Sequence, residues 1–406
     1  MPLERLGQFS IKLRTFKEND FDEKLVIFLK NFTLNSMKNI RAIKKGDGKS
    51  GLMGNILSKK KEVKIDESKY IDLALFWQIF QDHNKVSQKV KELALNSLIE
   101  ILQEFNDKEA KDNFTLLAID NIKKGQTFYS SIIFLRKIIN TYPLDSQIKF
   151  KSTSTVTTVQ MLLHEIYKKN DLFFMILQNL DEYLKIANQA KIRLGVTGDK
   201  IQNQLFVGYS THEDYISVVM NFIEFVIVNS KVILSYDCIE KMFQLLVVNA
   251  VSEYESNAFF QLVTKENDNA KSKERRFLLD DKTRNEVFLK IFCNSKTLNF
   301  EKINIEGFNC FKRLFLIVNE EEKALEIQKD NRIVVTNLNS LQGIETLWSF
   351  AILCSSNQVK EVSRDFLVDL YLKIKTKSSA QKKQSNEFFP QKCFAYFKQS
   401  NDKPDN

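Results

Sequence analysis

Few groupings in the sequence could do chemistry, and each asks for partners that its surroundings do not supply. Gly46-Asp47-Gly48-Lys49-Ser50-Gly51 has the Gly-x-Gly-x-x-Gly spacing of a pyrophosphate-cradling loop and also contains Gly-Lys-Ser. Such loops work because backbone N–H groups converge on the phosphate between a buried strand and a helix N-terminus. Here the preceding stretch Asn39 to Lys45 is amphipathic and ends in Lys, and the glycine needed five residues before Gly48 is Ile43. The segment reads as a flexible basic loop. His83, His164 and His212 lie in separate segments without metal-ligand spacing, and His164-Glu165 lacks the second histidine of a zinc-protease helix. His83 is expected in a surface turn and His212 inside a helix cap.

A thiolate nucleophile needs a tight turn with oxyanion donors and an electropositive setting. Cys238, Cys293, Cys310, Cys354 and Cys393 instead each sit in an apolar run, are odd in number and include no Cys-x-x-Cys pair. They read as small buried hydrophobes of a reducing compartment, cytoplasmic or nuclear. Asp280-Asp281 and Glu320-Glu321-Glu322 read as helix-start or loop charge, which the helix dipole favours at an N-terminus. No residue is assigned to catalysis, to a cofactor or to a metal, and no cofactor is expected.

The elements that would have to position any site are helices. The 406 residues include only 11 Gly and 4 Pro, too few for the turns of strand-rich or Gly-rich nucleotide folds. Apolar residues recur at helical spacing over Phe21 to Ile43, Tyr70 to Phe80, Val86 to Phe105, Phe114 to Ile122 and Phe128 to Tyr142. The same pattern covers Val159 to Tyr167, Leu172 to Leu194, Glu213 to Asn229, Ser235 to Val251 and Glu255 to Thr264. It continues over Lys282 to Phe292, Gly307 to Val318, Gly343 to Leu353 and Val359 to Ile374. Ser210 with Glu213 is expected to make a capping box, and Arg332 to Thr336 is the one candidate edge strand. Short polar turns between helices, such as Asp82-His83-Asn84, predict antiparallel pairs.

Two of these pairs align with each other. Trp77 precedes Asn84-Lys85-Val86 as Trp348 precedes Asn357-Gln358-Val359, and Lys91-Glu92-Leu93 then falls on Arg364-Asp365-Phe366. Pairs of this kind bury their apolar faces only by stacking, so the expected fold is all-α, an armadillo/HEAT-like α-solenoid of stacked antiparallel helix pairs. The expected segments are 1–45, amphipathic helix; 46–66, basic mobile loop; 67–206 and 207–375, helical repeats; and 376–406, rich in Lys, Ser and Asn.

The net charge of +9 is carried by 49 Lys against 11 Arg, whereas readers of bases and phosphates lean on the guanidinium fork. The basic runs Lys59 to Lys61, Lys271 to Arg276 and Lys373 to Lys383 lack interleaved aromatics for base stacking. A solvated Lys-rich surface is the favoured reading, and a nucleic-acid or membrane-surface adaptor is the outlying one. The most apolar stretch, Ile216 to Leu234, contains Asn221, Glu224, Asn229 and Lys231, too polar to span a membrane. Met-Pro-Leu-Glu-Arg at the N-terminus has no signal-peptide pattern.

One region is more specific. Gly307-Phe308-Asn309-Cys310-Phe311 leads into a helix ending Val318-Asn319, followed by Leu341-Gln342-Gly343, Leu347-Trp348 and a helix ending Leu370-Tyr371. This order resembles the armadillo-like region that precedes the peptidase domain in large ubiquitin-specific proteases (ubiquitin carboxyl-terminal hydrolases) of the fat facets type. Tyr209 to Leu234 and Ala270 to Lys273 are similar to the same region, with fainter likeness over Tyr70 to Tyr142. The resemblance implies a helical scaffold for ubiquitinated substrates or adaptors, with deubiquitination performed by a separate Cys-His peptidase domain. No cysteine box or later histidine box follows in this sequence, and Glu387 to Lys398 resembles the start of a next helix. The expected function is a non-catalytic scaffold for protein–protein interaction; the alternative is a fragment of an active cysteine-type deubiquitinase whose peptidase domain lies beyond the chain.

Overall fold

The computed structural model describes residues 21–45, 73–81, 85–105, 108–142, 171–195, 211–230, 232–266, 277–294, 297–329 and 332–372, with isolated positions at 167–168, 390–391 and 394. Side-chain caps fix where many of the helices begin. Asp22 Oδ1 accepts from Leu25 N at 2.7 Å to start α1 (Glu23–Lys45). The helices α2 (Leu73–Phe80), α3 (Gln88–Phe105), α4 (Lys108–Lys123), α5 (Phe128–Ile139) and α6 (Leu172–Leu194) follow. α7 (His212–Ser230) is capped by Thr211, whose Oγ1 accepts from Asp214 N at 3.1 Å. The Thr211 hydroxyl also donates to Asp214 Oδ2 at 3.0 Å. The full capping box belongs to α9 (Glu253–Thr264): Ser252 accepts from the helix, and Glu255 reaches back to Ser252 N at 2.9 Å.

Between them α8 (Tyr236–Phe243) runs on into a π-helical turn at Gln244–Val248, and α10 (Asp281–Val287) does the same at Phe288–Phe292. The sequence pattern predicts plain helices here. The wider π turn lets the neighbouring Ile291 and Phe292, as well as Phe288, all be buried. α11 (Ile305–Glu321), α12 (Ile344–Leu353) and α13 (Asn357–Leu372) complete the helices. The candidate edge strand exists as β2 (Ile333–Val335), paired antiparallel with β1 (Leu325–Ile327), Glu326 opposite Val334. β1 is three residues long, too short to register as an alternating pattern. The expected helix Val159 to Tyr167 lies outside the described residues apart from Tyr167, as do the 46–66 loop, the Asp82-His83-Asn84 turn and Ser210.

The chain divides into two compact units, residues 1–183 with 200–230, and residues 184–199 with 231–406. In the first, α2 packs on α3, α1 on α3, α4 on α5 and α5 on α7. Trp77 is the hub: its ring meets Phe80 and Phe134 edge-on, with centroids 4.9 and 5.0 Å apart. Lys111 is buried with its ammonium satisfied by Thr141 O at 3.2 Å and set over the Tyr142 ring.

In the second unit, α9 packs on α11 and α12 on α13. Phe311 is ringed by Phe288, Phe292, Phe308, Phe315 and Phe350, with centroids between 4.9 and 6.4 Å away. Two glycines make this packing possible. A Cβ on Gly307 would lie 2.7 Å from Ile303 Cγ2 and 2.9 Å from the Phe260 ring. Gly343, at φ +79°, opens α12 in a left-handed conformation, and a Cβ there would lie 2.6 Å from Phe288 Cζ. Fully buried Asn319 clamps the approach to that turn: its Nδ2 donates to Phe315 O at 2.8 Å and Gln342 O at 3.0 Å, and its Oδ1 accepts from Gln342 N at 2.7 Å. Trp348, also buried, meets Tyr371 of the partner helix edge-on.

Candidate functional site

The residues that could do chemistry are mostly structural where they are described. His212 is buried, 2% exposed, and shares a 2.7 Å hydrogen bond with the hydroxyl of Tyr183. The two rings stack, and Tyr183 stacks in turn on Tyr215 with centroids 3.7 Å apart. The histidine expected in a surface cap is therefore part of an aromatic stack that joins α6 to α7, because the first turn of α7 faces inward. His83, His164, the glycine loop and Cys393 lie outside the described residues.

The other thiols belong to the second unit. Cys310 and Cys354 are buried and Cys293 half-buried, and burial raises all three, Cys293 to about 12 and Cys354 to about 11. Cys354 Sγ lies 3.1 Å from Phe300 O. Burial of this kind disfavours the thiolate and suits side chains that fill the interior. Cys238 accepts from Ser235 Oγ at 3.3 Å on the first turn of α8. Among the described residues no three His, Cys, Asp or Glu side chains come together as a metal site.

The carboxylate pairs have definite duties. Asp280 caps α10 by accepting from Thr283 N at 3.0 Å. Asp281 and Glu321 both pair with the guanidinium of Arg284, itself 2% exposed, and that guanidinium also lies over the Phe277 ring. Glu321 thus neutralises a buried cation, a role that a surface-charge reading does not anticipate.

The feature that sequence reading passes over lies between α2, α3 and α5: a cavity of about 200 Å³. Its polar wall carries Lys91, Glu92 and Asn96 from α3 and Ser130 and Lys137 from α5. Its apolar wall is Phe80, Leu95, Tyr129 and Ile133. Lys91 is 5% exposed, since it sits on the same helical face as Val90, Ala94, Leu95 and Leu98. Lys137 reaches across from α5 and donates to Asn96 Oδ1 at 2.6 Å. Burial pulls the Lys137 ammonium below the ordinary lysine value, with Glu92 acting in the opposite sense. Gln88 Nε2 orients Glu92 at 3.2 Å, and Ser130 Oγ donates to Phe80 O at 2.8 Å. Behind the cavity the Tyr129 ring stacks on Tyr215, which ties this wall to the Tyr183–His212 stack. The signal for Lys91 was present in the sequence, as a lysine in register with an apolar stripe. Lys137 carried none.

Successive packed helix pairs, with caps at the joints and aromatic side chains between layers, define an all-α, armadillo-like helical repeat protein. The chain belongs to the UBP24/USP9X/USP9Y ARM repeat family, whose model matches residues 23–319. It is 23% identical over 341 residues to ubiquitin carboxyl-terminal hydrolase 9Y of Homo sapiens, an alignment covering 81% of this chain and 13% of that protein. The family match runs from the start of α1 to Asn319 in the last turn of α11; the Gly343 turn, Trp348 and α13 lie past its end. No described helix is long and apolar enough to cross a membrane.

Proposed function

We propose that the chain is a non-catalytic helical-repeat scaffold for protein–protein interaction in a deubiquitination pathway, binding ubiquitinated substrates or adaptors in the cytoplasm or nucleus. The observation that carries this reading is the family membership over residues 23–319, which is a repeat region and not a peptidase. The described thiols, raised by burial, support it. Affinity capture with the purified chain should enrich protein partners, and a ubiquitin-amide substrate should stay intact. Cleavage abolished by substituting one cysteine would overturn the reading.

A second reading rests on coverage. The chain spans 13% of the hydrolase it resembles, so it fits equally as a piece of a longer cysteine-type enzyme. An in-frame Cys/His peptidase segment next to the present sequence decides for that reading, and its lack decides for a separate scaffold.

A further inference from the structure

We infer that the outward stripe of α13, formed by Glu361, Asp365, Val368 and Leu372, docks a basic amphipathic helix of a partner protein. The partner's apolar side chains lie on Val368 and Leu372, and its arginine or lysine side chains reach Asp365 and Glu361. This deepens the scaffold reading and rests on it.

Spacings of four, three and four residues put these side chains on one face of the helix, within an arc of about 60° and along roughly 16 Å. The opposite face, Val359, Ser363, Phe366, Leu367 and Leu370, is buried inside the unit. Val368 and Leu372 are 43% and 79% exposed, so a partner that covers them gains apolar burial. Glu361 and Asp365 are exposed as well, and among the described residues neither carboxylate makes a hydrogen bond or an ion pair. Other acidic side chains of the same unit are paired, Glu266 with Arg313 and Glu286 with Lys290. The cations near the stripe point elsewhere: Arg364 Nε donates to Ala351 O at 3.3 Å, and Lys312 of α11 lies over the Phe366 ring on the packed face. Lys360 sits about 100° round the helix from Glu361. Charge and apolarity together therefore select the partner. An acidic partner meets repulsion, and a wholly apolar one removes water from two carboxylates without replacing it. The backbone of α13 is closed by its own hydrogen bonds, so an extended peptide finds no edge to pair with, whereas a second helix presents side chains at the same spacing. The Lys-rich segment 376–406 of this chain is basic too, but its described apolar residue Phe394 is 68% exposed and so is not buried on the stripe.

The test is a fluorescence-anisotropy titration of the full chain with rhodamine-labelled Leu-Ala-Ala-Gln-Leu-Ala-Ala-Arg-Gln-Ala-Ala-Arg-amide, whose spacing mirrors the stripe, and with its Arg-to-Gln counterpart. The Arg peptide should bind about fivefold more tightly, as two solvent-facing ion pairs give. Glu361→Gln combined with Asp365→Asn should bring the two peptides to within about 1.5-fold of each other, with circular dichroism checking the fold. Leu372→Ser should weaken both peptides about tenfold and keep the preference between them. Leu289→Ser, at an exposed apolar position of another helix, should change neither. Equal binding of the two peptides overturns the inference, as does a preference that survives the double substitution or an Arg peptide indifferent to Leu372→Ser. Tighter binding after Phe388→Ser with Phe389→Ser overturns it in favour of this chain's own C-terminal segment as the occupant. Self-association of the full chain that Leu372→Ser abolishes overturns it in favour of a second copy. Failure of the titration with partner capture intact removes the stripe and keeps the scaffold. Loss of capture with the titration as expected removes the scaffold and keeps the stripe.

Discussion

The unit that holds Trp77 admits Lys91, Lys111 and the Tyr183–His212 pair to its interior, whereas the unit that holds Trp348 surrounds Phe311 with phenylalanines and keeps its thiols protonated. The two interiors are packed differently. In the first, the buried Lys111 ammonium is held by a carbonyl and an aromatic face, while half-buried Lys137 bonds the Asn96 amide. In the second, the ring cage, two glycine approaches and the Asn319 clamp fix the packing around Phe311, and the buried Arg284 is paired with Asp281 and Glu321. The difference separates two kinds of packing within one repeat architecture: polar side chains admitted and satisfied in the first interior, and interlocking aromatic rings around Phe311 in the second.

Each unit contains one tryptophan, so Trp77→Phe and Trp348→Phe backgrounds let denaturation be followed unit by unit. The largest effect is expected for Phe311→Ala, about 3–5 kcal/mol lost in the Trp348-reported transition, because the cage cannot collapse around the void. A loss below about 1 kcal/mol would show that the second interior is as adaptable as the first. Asn319→Ala should cost about 2–3 kcal/mol in the same transition, since it strands the N–H and C=O of Gln342.

Alkali should separate the units by direction. The raised thiols of Cys293, Cys310 and Cys354 contribute stability that is complete below their ordinary value of 9.0 and is lost as pH climbs toward about 12. Lys111, lowered by desolvation from 10.5, contributes in the opposite sense, so its unit gains stability as pH rises toward that value. Tyr142, raised by burial and by Asp112, begins to offset that gain above its ordinary value of 10.0. Between pH 8 and 10 the Trp77-reported midpoint should therefore hold or rise while the Trp348-reported one falls. Parallel declines would erase the contrast. The smallest effect is expected for Lys111→Met, within about 1 kcal/mol of wild type at pH 7, because the apolar isostere saves desolvation while losing the Thr141 bond. It should also flatten the alkaline rise of its unit.

Much of this was legible before any coordinates, for a physical reason. Helical spacing of apolar residues is a local signal, so most helices from α1 to α13 appear within a few residues of their expected ends, and the family resemblance follows from the order of their anchors. Anchors such as Asn319 and Gly343 turn out to be packing devices: one satisfies a buried turn, the other supplies a left-handed start. The misses are non-local. The π turns at Gln244–Val248 and Phe288–Phe292 answer to what packs across from them, and β1 exists because β2 lies beside it. Lys137 is legible only once α5 is laid against α3, since its bond partner Asn96 is 41 residues away in sequence. His212 looked like a cap because its neighbours are polar, yet the stack with Tyr183 is supplied by a helix many residues upstream.

Gly307 has a consequence for how the sequence can drift. The separation of α9 and α11 is set there by an absent atom, with the Phe260 ring filling the place a Cβ would take. A single change to alanine meets both that ring and Ile303, so neither residue can vary alone without cost. Gly307→Ala combined with Phe260→Leu should be less damaging than the sum of the two single changes, by an interaction of about 1 kcal/mol in a double-mutant cycle. Positions 260 and 307 are in that sense one unit of inheritance, and sequences that enlarge the second are expected to have trimmed the first.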